Sequence, residues 1–165
     1  MPCKEPSKVD VYLGLGANLG RRRRCIERAL AAIEELPKTE VAATSDLYET
    51  KARFVEDQPD FLNACALVHT ALEPQALLDA LLAIEHAMGR VRTVDKGPRV
   101  IDLDILLYGD RVIDDEGLSI PHPGLDKRRF VLRPLVDIGA DIVHPVSGQT
   151  IKQLLEQLST CAEHH

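Results

Sequence analysis

Hydrophobic positions along the chain follow two different periods, and together these predict an alternating series of strands and helices. Strands are predicted at 9–16, 41–49, 61–72 and 100–108, and helices at 19–36 and 74–89. Asn18 is a suitable N-cap for the first helix, Pro37 ends it, and Pro74 opens the second. The resulting order βαββαβ predicts an α+β fold of the ferredoxin-like type, an antiparallel sheet with two helices on one face.

The last third of the chain adds smaller elements to this pattern. A short strand is predicted around 111–113, a loop through SIPHPGLDKRRF, and helices near 131–138 and 151–158. We expect these elements to cover the sheet further and to shape a cleft. Because no repeat or linker-like segment interrupts the chain, we expect one domain over 1–165, flexible at 1–8 and 160–165.

Two aspartates interrupt the apolar strand GPRVIDLDILLYG (97–109). Side chains two residues apart in a strand share a face, so Asp102 and Asp104 stand together. The opposite face is predicted to be apolar and to consist of Ile101, Leu103, Ile105 and Leu107. Because two neighbouring carboxylates repel each other, a divalent cation between them is the simplest solution, and Mg²⁺ bridging to phosphate oxygens fits this donor set. Two exposed carboxylates on an edge strand are the alternative.

Three arginines surround this pair in the segment GRVRTVDKGPR. Arg90, Arg92 and Arg99 would place guanidinium groups beside the acidic site, as the transfer of a phosphate-containing group requires. The alternative is that Arg90 and Arg92 complement the carboxyl end of the second helix. The proline-bounded loop PHPGLDKRRF adds His122 and Arg128, which are candidates for gripping a triphosphate.

Two further stretches, one rich in glycine and one rich in arginine, are candidates for binding a dinucleotide and nucleic acid, respectively, but neither supports that function. GLGANLG (14–20) has Leu19 where the dinucleotide-binding fingerprint needs its last glycine, so Gly14 and Gly16 are interpreted as sites of close backbone packing. The run Arg21–Arg24 is interpreted as a solvated face or as a partner for local acidic groups. The net charge of −6 and the absence of tryptophan argue against nucleic acid and membrane as partners.

The cellular context is predicted from the N-terminus and the cysteines. MPCKEPSKVD lacks the apolar core of a signal peptide, and the four cysteines show no metal-ligand spacing. We therefore expect a cytoplasmic protein with reduced thiols, and we assign no function to the two final histidines.

Five segments in order along the chain resemble the 6-hydroxymethyl-7,8-dihydropterin pyrophosphokinase family of folate biosynthesis. They are LGLGANLG, DQPDFLNA, IEHAMGRVR, DKGPRVIDLDIL and IPHPGLDKRRFVLRPL. The resemblance implies transfer of pyrophosphate from ATP to the pterin's hydroxymethyl group, with release of AMP. It also implies the ferredoxin-like fold, two Mg²⁺ ions, ATP and the pterin as small-molecule partners, and, we expect, a monomer.

The resemblance assigns roles to matching positions. It implies that Asp102 and Asp104 bind metal and that Arg90 and Arg99 stabilise the transferred group. The positions that it associates with ATP are Glu85, Arg92, Ile105, His122 and Arg128. The positions that it associates with the pterin are Thr50, Phe61, Asn63 and Phe130. Phe61 and Phe130 suit ring stacking, and the Asn63 amide offers both a donor and an acceptor.

Two segments depart from the family pattern. Lys51–Arg53 stand where better-known members have a Pro-Pro-Leu stretch, and Val94–Lys96 stand where such members carry a tryptophan. Both belong to loops expected to close over the site. Two other functions stay open at this point: a nucleotidyltransferase using the same residues, and a catalytically silent binding module.

Overall fold

A central antiparallel sheet organises the chain, whose computed structural model describes residues 8–17, 22–50, 61–88 and 101–162. Its strands are β1 (Val9–Ala17), β2 (Thr39–Thr44), β3 (Tyr48–Thr50), β4 (Phe61–Thr70) and β5 (Asp102–Tyr108). They lie in the order β2–β4–β1–β5, and β3 pairs with the first residues of β4. This is the sheet order expected for the ferredoxin-like α+β fold, so the predicted fold class is confirmed.

Two helices cover one face of this sheet. They are α1 (Arg22–Glu34) and α2 (Pro74–Ala87), and the predicted start of α2 at Pro74 is confirmed. Leu77 and Leu81 of α2 have no exposed surface, because they face the alternate apolar residues of β1 and β5. Leu82, on the outer side of the same helix, is 41% exposed. The predicted N-cap of α1, Asn18, lies outside the described residues.

The tail of the chain covers part of the other face, as predicted. Its helices are α3 (Arg129–Gly139) and α4 (Ile151–Ala162), preceded by a single 3₁₀ turn at Leu125–Lys127. Leu132 and Leu135 of α3 are fully buried against a second apolar cluster that includes Tyr12 of β1 and Leu106 of β5. The sheet therefore has an apolar core on each side.

A bulge in β5 changes which residues share a face. Tyr12 pairs with Leu107 and Leu13 with Ile105, so Leu106 is the extra residue. Ile101, Leu103 and Ile105 lie in the core beneath α1 and α2, as predicted. Leu107 lies with Leu106 in the opposite core, so its predicted face is wrong. The strict alternation assumed from the sequence ends at the inserted residue.

Two predicted strands have different boundaries. The strand predicted at 41–49 is two strands, because residues 45–47 between β2 and β3 are irregular. The strand predicted around 111–113 lies two residues later, as β6 (Ile113–Asp115), and it pairs with β7 (Leu118–Ile120) in a separate hairpin. Gly117 in its turn has φ of 82°, a conformation that glycine adopts without strain.

No helix in the described part of the chain is long and apolar enough to cross a membrane.

A polar contact ties the short edge strand β3 to α3. Asp137 of α3 accepts a hydrogen bond from the Tyr48 hydroxyl at 2.6 Å and another from the Asp46 backbone N–H at 3.3 Å. The Arg133 guanidinium donates to the same carboxylate at 3.3 Å and lies 5.0 Å from the centroid of the Tyr48 ring. The hydrogen bond to Asp137 raises the pKa of the Tyr48 hydroxyl. These contacts fix β3, whose last residue is Thr50, relative to α3.

Replacing Asp137 tests this connection. Asp137→Ala removes the acceptor for all three donors, so we expect the free energy of unfolding to fall by about 1–2 kcal/mol. Asp137→Asn keeps an acceptor oxygen and loses less. Urea unfolding measures both values, and Asp141→Ala, an exposed carboxylate just beyond α3, is the control. Equal stabilities of Asp137→Ala and the control would contradict the connection.

Candidate active site

The two strand aspartates and Asn63 lie in register across three neighbouring strands. Gly16 of β1 pairs with Asn63 of β4 on one side and with Asp102 of β5 on the other. Gly14, two residues earlier, pairs with Asp104 in the same way. Because neighbouring strands are spaced by about 4.8 Å, Asn63 and Asp102 lie roughly 10 Å apart across the glycine. Asn63, predicted to bind the pterin, thus shares one face of the sheet with the two predicted metal residues.

Gly14 and Gly16 form the floor between these polar groups. They lie on the face opposite Leu13 and Leu15, which are buried in the core beneath α1 and α2. A Cβ added to Gly14 would lie 3.4 Å from a methyl carbon of Leu106, at the edge of the second core. Gly14 is half-buried and Gly16 is buried, which agrees with their interpretation as sites of close packing.

The two carboxylates on this face fit a metal ion that is also bound by substrate. Asp104 is exposed and Asp102 is half-buried, and alternation places both on the face opposite Leu103. In the described ranges, no group of three or more histidine, cysteine, aspartate or glutamate side chains is arranged to hold a metal ion. Mg²⁺ commonly takes one or two carboxylates and completes its coordination with water and substrate phosphate oxygens. The donor set of Asp102 and Asp104 fits that kind of site.

His122 lies beside Asp104 in a defined protonation state. Burial lowers the pKa of His122; the nearby Asp104 carboxylate opposes this effect and Arg128 adds to it. The backbone N–H of Gly124 donates to Nδ1 of His122 at 3.0 Å, and the backbone N–H of His122 donates to the Leu106 carbonyl at 3.0 Å. Because Nδ1 accepts a hydrogen bond, the neutral ring carries its proton on Nε2. His122 therefore offers a donor to an anionic ligand without adding a full charge.

Arg128 and Phe130 are neighbours at the start of α3. The Arg128 guanidinium is exposed and lies 5.9 Å from the centroid of the half-buried Phe130 ring. This distance is within the range of a cation–π contact. A residue predicted to bind ATP and one predicted to stack on the pterin are thus in contact.

Glu85 and Ile105 lie beneath the sheet. Glu85 is 3% exposed, and its carboxylate accepts a hydrogen bond from the backbone N–H of Leu103 at 2.7 Å. This bond anchors α2 to β5 midway between Asp102 and Asp104. The Ile105 side chain is buried in the core with Leu103, so a nucleotide on the opposite face would meet Ile105 through its backbone. The ATP roles of Glu85 and Ile105 remain predictions.

Of the remaining predicted site residues, two lie in described strands and three lie outside the described residues. Thr50 and Phe61 pair with each other at the junction of β3 and β4. Arg90, Arg92 and Arg99, together with the unusual segments Lys51–Arg53 and Val94–Lys96, lie outside the described residues. Their predicted roles stay predictions.

One of the two interpretations of the arginine run, an interaction with a local acidic group, is confirmed for Arg22. Arg22 forms an ion pair with Glu49 of β3 at 2.5 Å, while Arg23 and Arg24 are exposed. Beside them lies an open groove of about 750 Å³ whose floor includes Leu47 and Leu62. Leu62 lies on the α1 side of the sheet, so this groove is separate from the row of Asn63 and the aspartates.

Comparison with known proteins gives consistent similarities. The sequence profile of the 7,8-dihydro-6-hydroxymethylpterin-pyrophosphokinase (HPPK) family matches residues 12–140. The chain is 43% identical over 151 residues to the 2-amino-4-hydroxy-6-hydroxymethyldihydropteridine pyrophosphokinase of Haemophilus influenzae, covering 92% of this chain and 94% of that protein. It is 49% identical over 160 residues to the folic acid synthesis protein fol1 of Pneumocystis carinii, covering 94% of this chain.

Several relatives are much longer than this chain. The chain spans 21% of the length of the Pneumocystis carinii protein and 20% of the fol1 protein of Schizosaccharomyces pombe. The crystal structure of wild-type Plasmodium falciparum HPPK-DHPS with pteroate superposes with a TM-score of 0.78 at 18% identity, covering 99% of this chain and 45% of that one. At this identity the superposition supports the fold alone.

Replacing Glu85 tests the anchor between α2 and β5. Glu85→Ala leaves the buried N–H of Leu103 without its acceptor, so we expect the free energy of unfolding to fall by about 1–3 kcal/mol. Glu85→Gln keeps an acceptor oxygen and should lose less. Urea unfolding measures the loss, with Asp79→Ala on the exposed side of α2 as control. Similar losses for Glu85→Ala and the control would argue against the anchor.

The lowered pKa of His122 predicts a loss of stability in acid. Between the folded-state pKa and about 6.5, the unfolded chain binds more protons than the folded one, so stability falls as the pH falls through this window. Above about pH 6.5 His122 contributes no slope. Burial also lowers the pKa of His144, which adds to the effect.

Urea unfolding from pH 5 to pH 8 measures this dependence. His122→Asn keeps an acceptor for the Gly124 N–H and cannot titrate, so its stability should change less below pH 6.5 than that of the unsubstituted chain. An unchanged slope would show that His122 is not held neutral by the fold.

Proposed function

Because this chain belongs to the 7,8-dihydro-6-hydroxymethylpterin-pyrophosphokinase family, we propose that it transfers the pyrophosphoryl group of ATP to 6-hydroxymethyl-7,8-dihydropterin. The hydroxymethyl oxygen attacks the β-phosphorus of ATP and loses its proton. The bond from the β-phosphorus to the oxygen that bridges the α- and β-phosphorus atoms breaks, and AMP leaves with that oxygen. The products are the pterin diphosphate and AMP.

The row of Asn63, Gly16 and Asp102 carries this proposal. It provides an amide that matches the edge of a pterin and carboxylates that match a metal-bound polyphosphate, on one face and roughly 10 Å apart. Gly16, which lies between them, is buried and has no side chain that would separate the two substrates. Because the site would hold the pterin hydroxymethyl group beside the ATP phosphates, positioning would lower much of the activation barrier.

The residues around this row divide into a nucleotide side and a pterin side. His122 and Arg128 lie beyond Asp104, where a neutral donor and a guanidinium group would bind phosphate oxygens. Phe130 lies next to Arg128 and would stack on the pterin ring. Arg90 and Arg99 are proposed to neutralise charge on the transferred group, as the family resemblance implies.

Magnesium is part of the proposal. Asp102 and Asp104 would hold two Mg²⁺ ions together with phosphate oxygens, and the ions would neutralise the charge of the triphosphate when bound. The protein's contribution is to present both carboxylates on one face, at residues about 6.6 Å apart along the strand.

We further propose that the chain forms one pyrophosphokinase domain and acts as a monomer. The central sheet, with an apolar core on each face, supports the first point. The cytoplasmic location stays a prediction of the sequence analysis.

Product analysis tests the reaction. Incubation with ATP, Mg²⁺ and 6-hydroxymethyl-7,8-dihydropterin should give AMP and the pterin diphosphate, identified by chromatography and mass spectrometry, and excess EDTA should abolish both. Combined Asp102→Asn and Asp104→Asn should lower turnover by about 10²–10³-fold. Asp114→Asn with Asp115→Asn, a matched exposed pair on β6, should leave turnover unchanged.

Each other product pattern contradicts the proposal in a recognisable way. ADP with a monophosphorylated pterin would indicate an ordinary kinase. Pyrophosphate with an adenylated pterin would indicate a nucleotidyltransferase. No Mg²⁺-dependent nucleotide binding at all would indicate a silent binding module.

A further inference from the structure

We infer that Gly124 is a positioning residue for Arg128. Because Gly124 has no side chain, the Arg128 guanidinium lies in the space that a side chain at position 124 would occupy. The inference rests on the proposed function for its catalytic consequence, and on the geometry of the turn between His122 and Phe130 for its structural part.

The space above Gly124 is filled by Arg128. A Cβ added to Gly124 would lie 2.7 Å from Nε, 3.0 Å from Cζ and 3.1 Å from Cδ of Arg128. Carbon atoms do not approach side-chain atoms this closely, because they normally rest at about 3.5–4.0 Å. Any residue larger than glycine must therefore displace the guanidinium. Since Arg128 is exposed and flexible, the side chain can move while the backbone stays in place.

Glycine is not required here by the backbone. Gly124 has φ of −96° and ψ of 4°, a conformation that residues with side chains also adopt. This distinguishes it from Gly117, whose positive φ favours glycine on conformational grounds. The physical reason for glycine at position 124 is the space that it leaves.

The turn holds Gly124 and Arg128 at a fixed separation. The Leu125 N–H donates to the His122 carbonyl at 3.0 Å and the Lys127 N–H donates to the Gly124 carbonyl at 3.2 Å. Leu125 has no exposed surface and anchors the turn in the core beneath α3 and α4. Arg128 thus lies between a fixed glycine on one side and the ring of Phe130 on the other.

Gly124 also contacts the nucleotide side through its backbone, since its N–H donates to Nδ1 of His122. Alanine at position 124 would keep this N–H and remove only the space. Gly124→Ala therefore separates the position of Arg128 from the protonation state of His122. The expected consequence is weaker binding of ATP, because a charge-assisted hydrogen bond to phosphate depends on the position of the guanidinium.

Steady-state kinetics of four proteins test the inference: the unsubstituted chain, Gly124→Ala, Arg128→Ala and the double variant. Gly124→Ala should raise KM for ATP by about tenfold while kcat and the urea midpoint change little. In the Arg128→Ala background the same substitution should have no further effect, because its target is gone. Lys127→Ala, in the same exposed turn, should leave KM unchanged.

Two results would overturn the inference. One is an unchanged KM for ATP in Gly124→Ala; the other is an equal rise in KM with and without Arg128, which would show that alanine acts through another contact.

A spectroscopic measurement separates this inference from the proposed reaction. The ¹H–¹⁵N signal of Arg128 Nε, assigned by its loss in Arg128→Ala, should shift in Gly124→Ala whether or not the chain is active. A shift without pterin diphosphate formation would retain the positioning role and overturn the proposed function. An unshifted signal would overturn the positioning role, whatever the products.

Discussion

Hydrogen bonding of β1 to strands on both sides is the constraint on which the rest of the structure depends. Antiparallel pairing fixes which residues stand opposite one another, and a slip by one residue would move every side chain to the other face. Because β1 is paired with β4 and β5 at once, Asn63 and Asp102 are placed relative to each other through Gly16. No direct contact between them is needed. The candidate site is thus a property of the sheet's register.

The two faces of β1 explain why the site is where it is. One face presents Leu13 and Leu15 to the core beneath α1 and α2. The other presents Tyr12 to the core beneath α3 and α4, followed by two residues without side chains. Along this second face the sheet changes from packed to polar within two residues. The buried Tyr12 end supplies the stability that an open, charged surface cannot supply.

Much of the fold was predictable because the spacing of apolar residues and the residues that begin or end helices and strands are local properties of the sequence. Prolines and apolar spacing predicted the order of strands and helices along the chain and the start of α2 at Pro74, and the pair of aspartates predicted the polar face. The face of Leu107 was not predictable in this way, because the bulge depends on pairing with β1. The role of Gly124 was also hidden, since a glycine in a loop predicts flexibility and says nothing about a side chain four residues later. The link between Tyr48 and Asp137 joins residues 89 positions apart, and no local pattern records it.

The inserted residue in β5 allows one strand to present polar side chains in its first half and buried apolar side chains in its second half on the same side of the sheet. Before Leu106 its outward side chains are carboxylates, which need water, metal or phosphate; from Leu106 on, the same side of the sheet receives leucines, which need to be sealed. An uninterrupted strand would have put Leu107 beneath the sheet and would have turned Tyr108 toward α3 and α4. Because of the extra residue, the alternation of side chains between the two faces in one half of the strand does not fix the alternation in the other half. A change of composition in the half that carries the carboxylates therefore need not disturb the buried half, and chemistry and stability can be altered separately within the seven residues of β5.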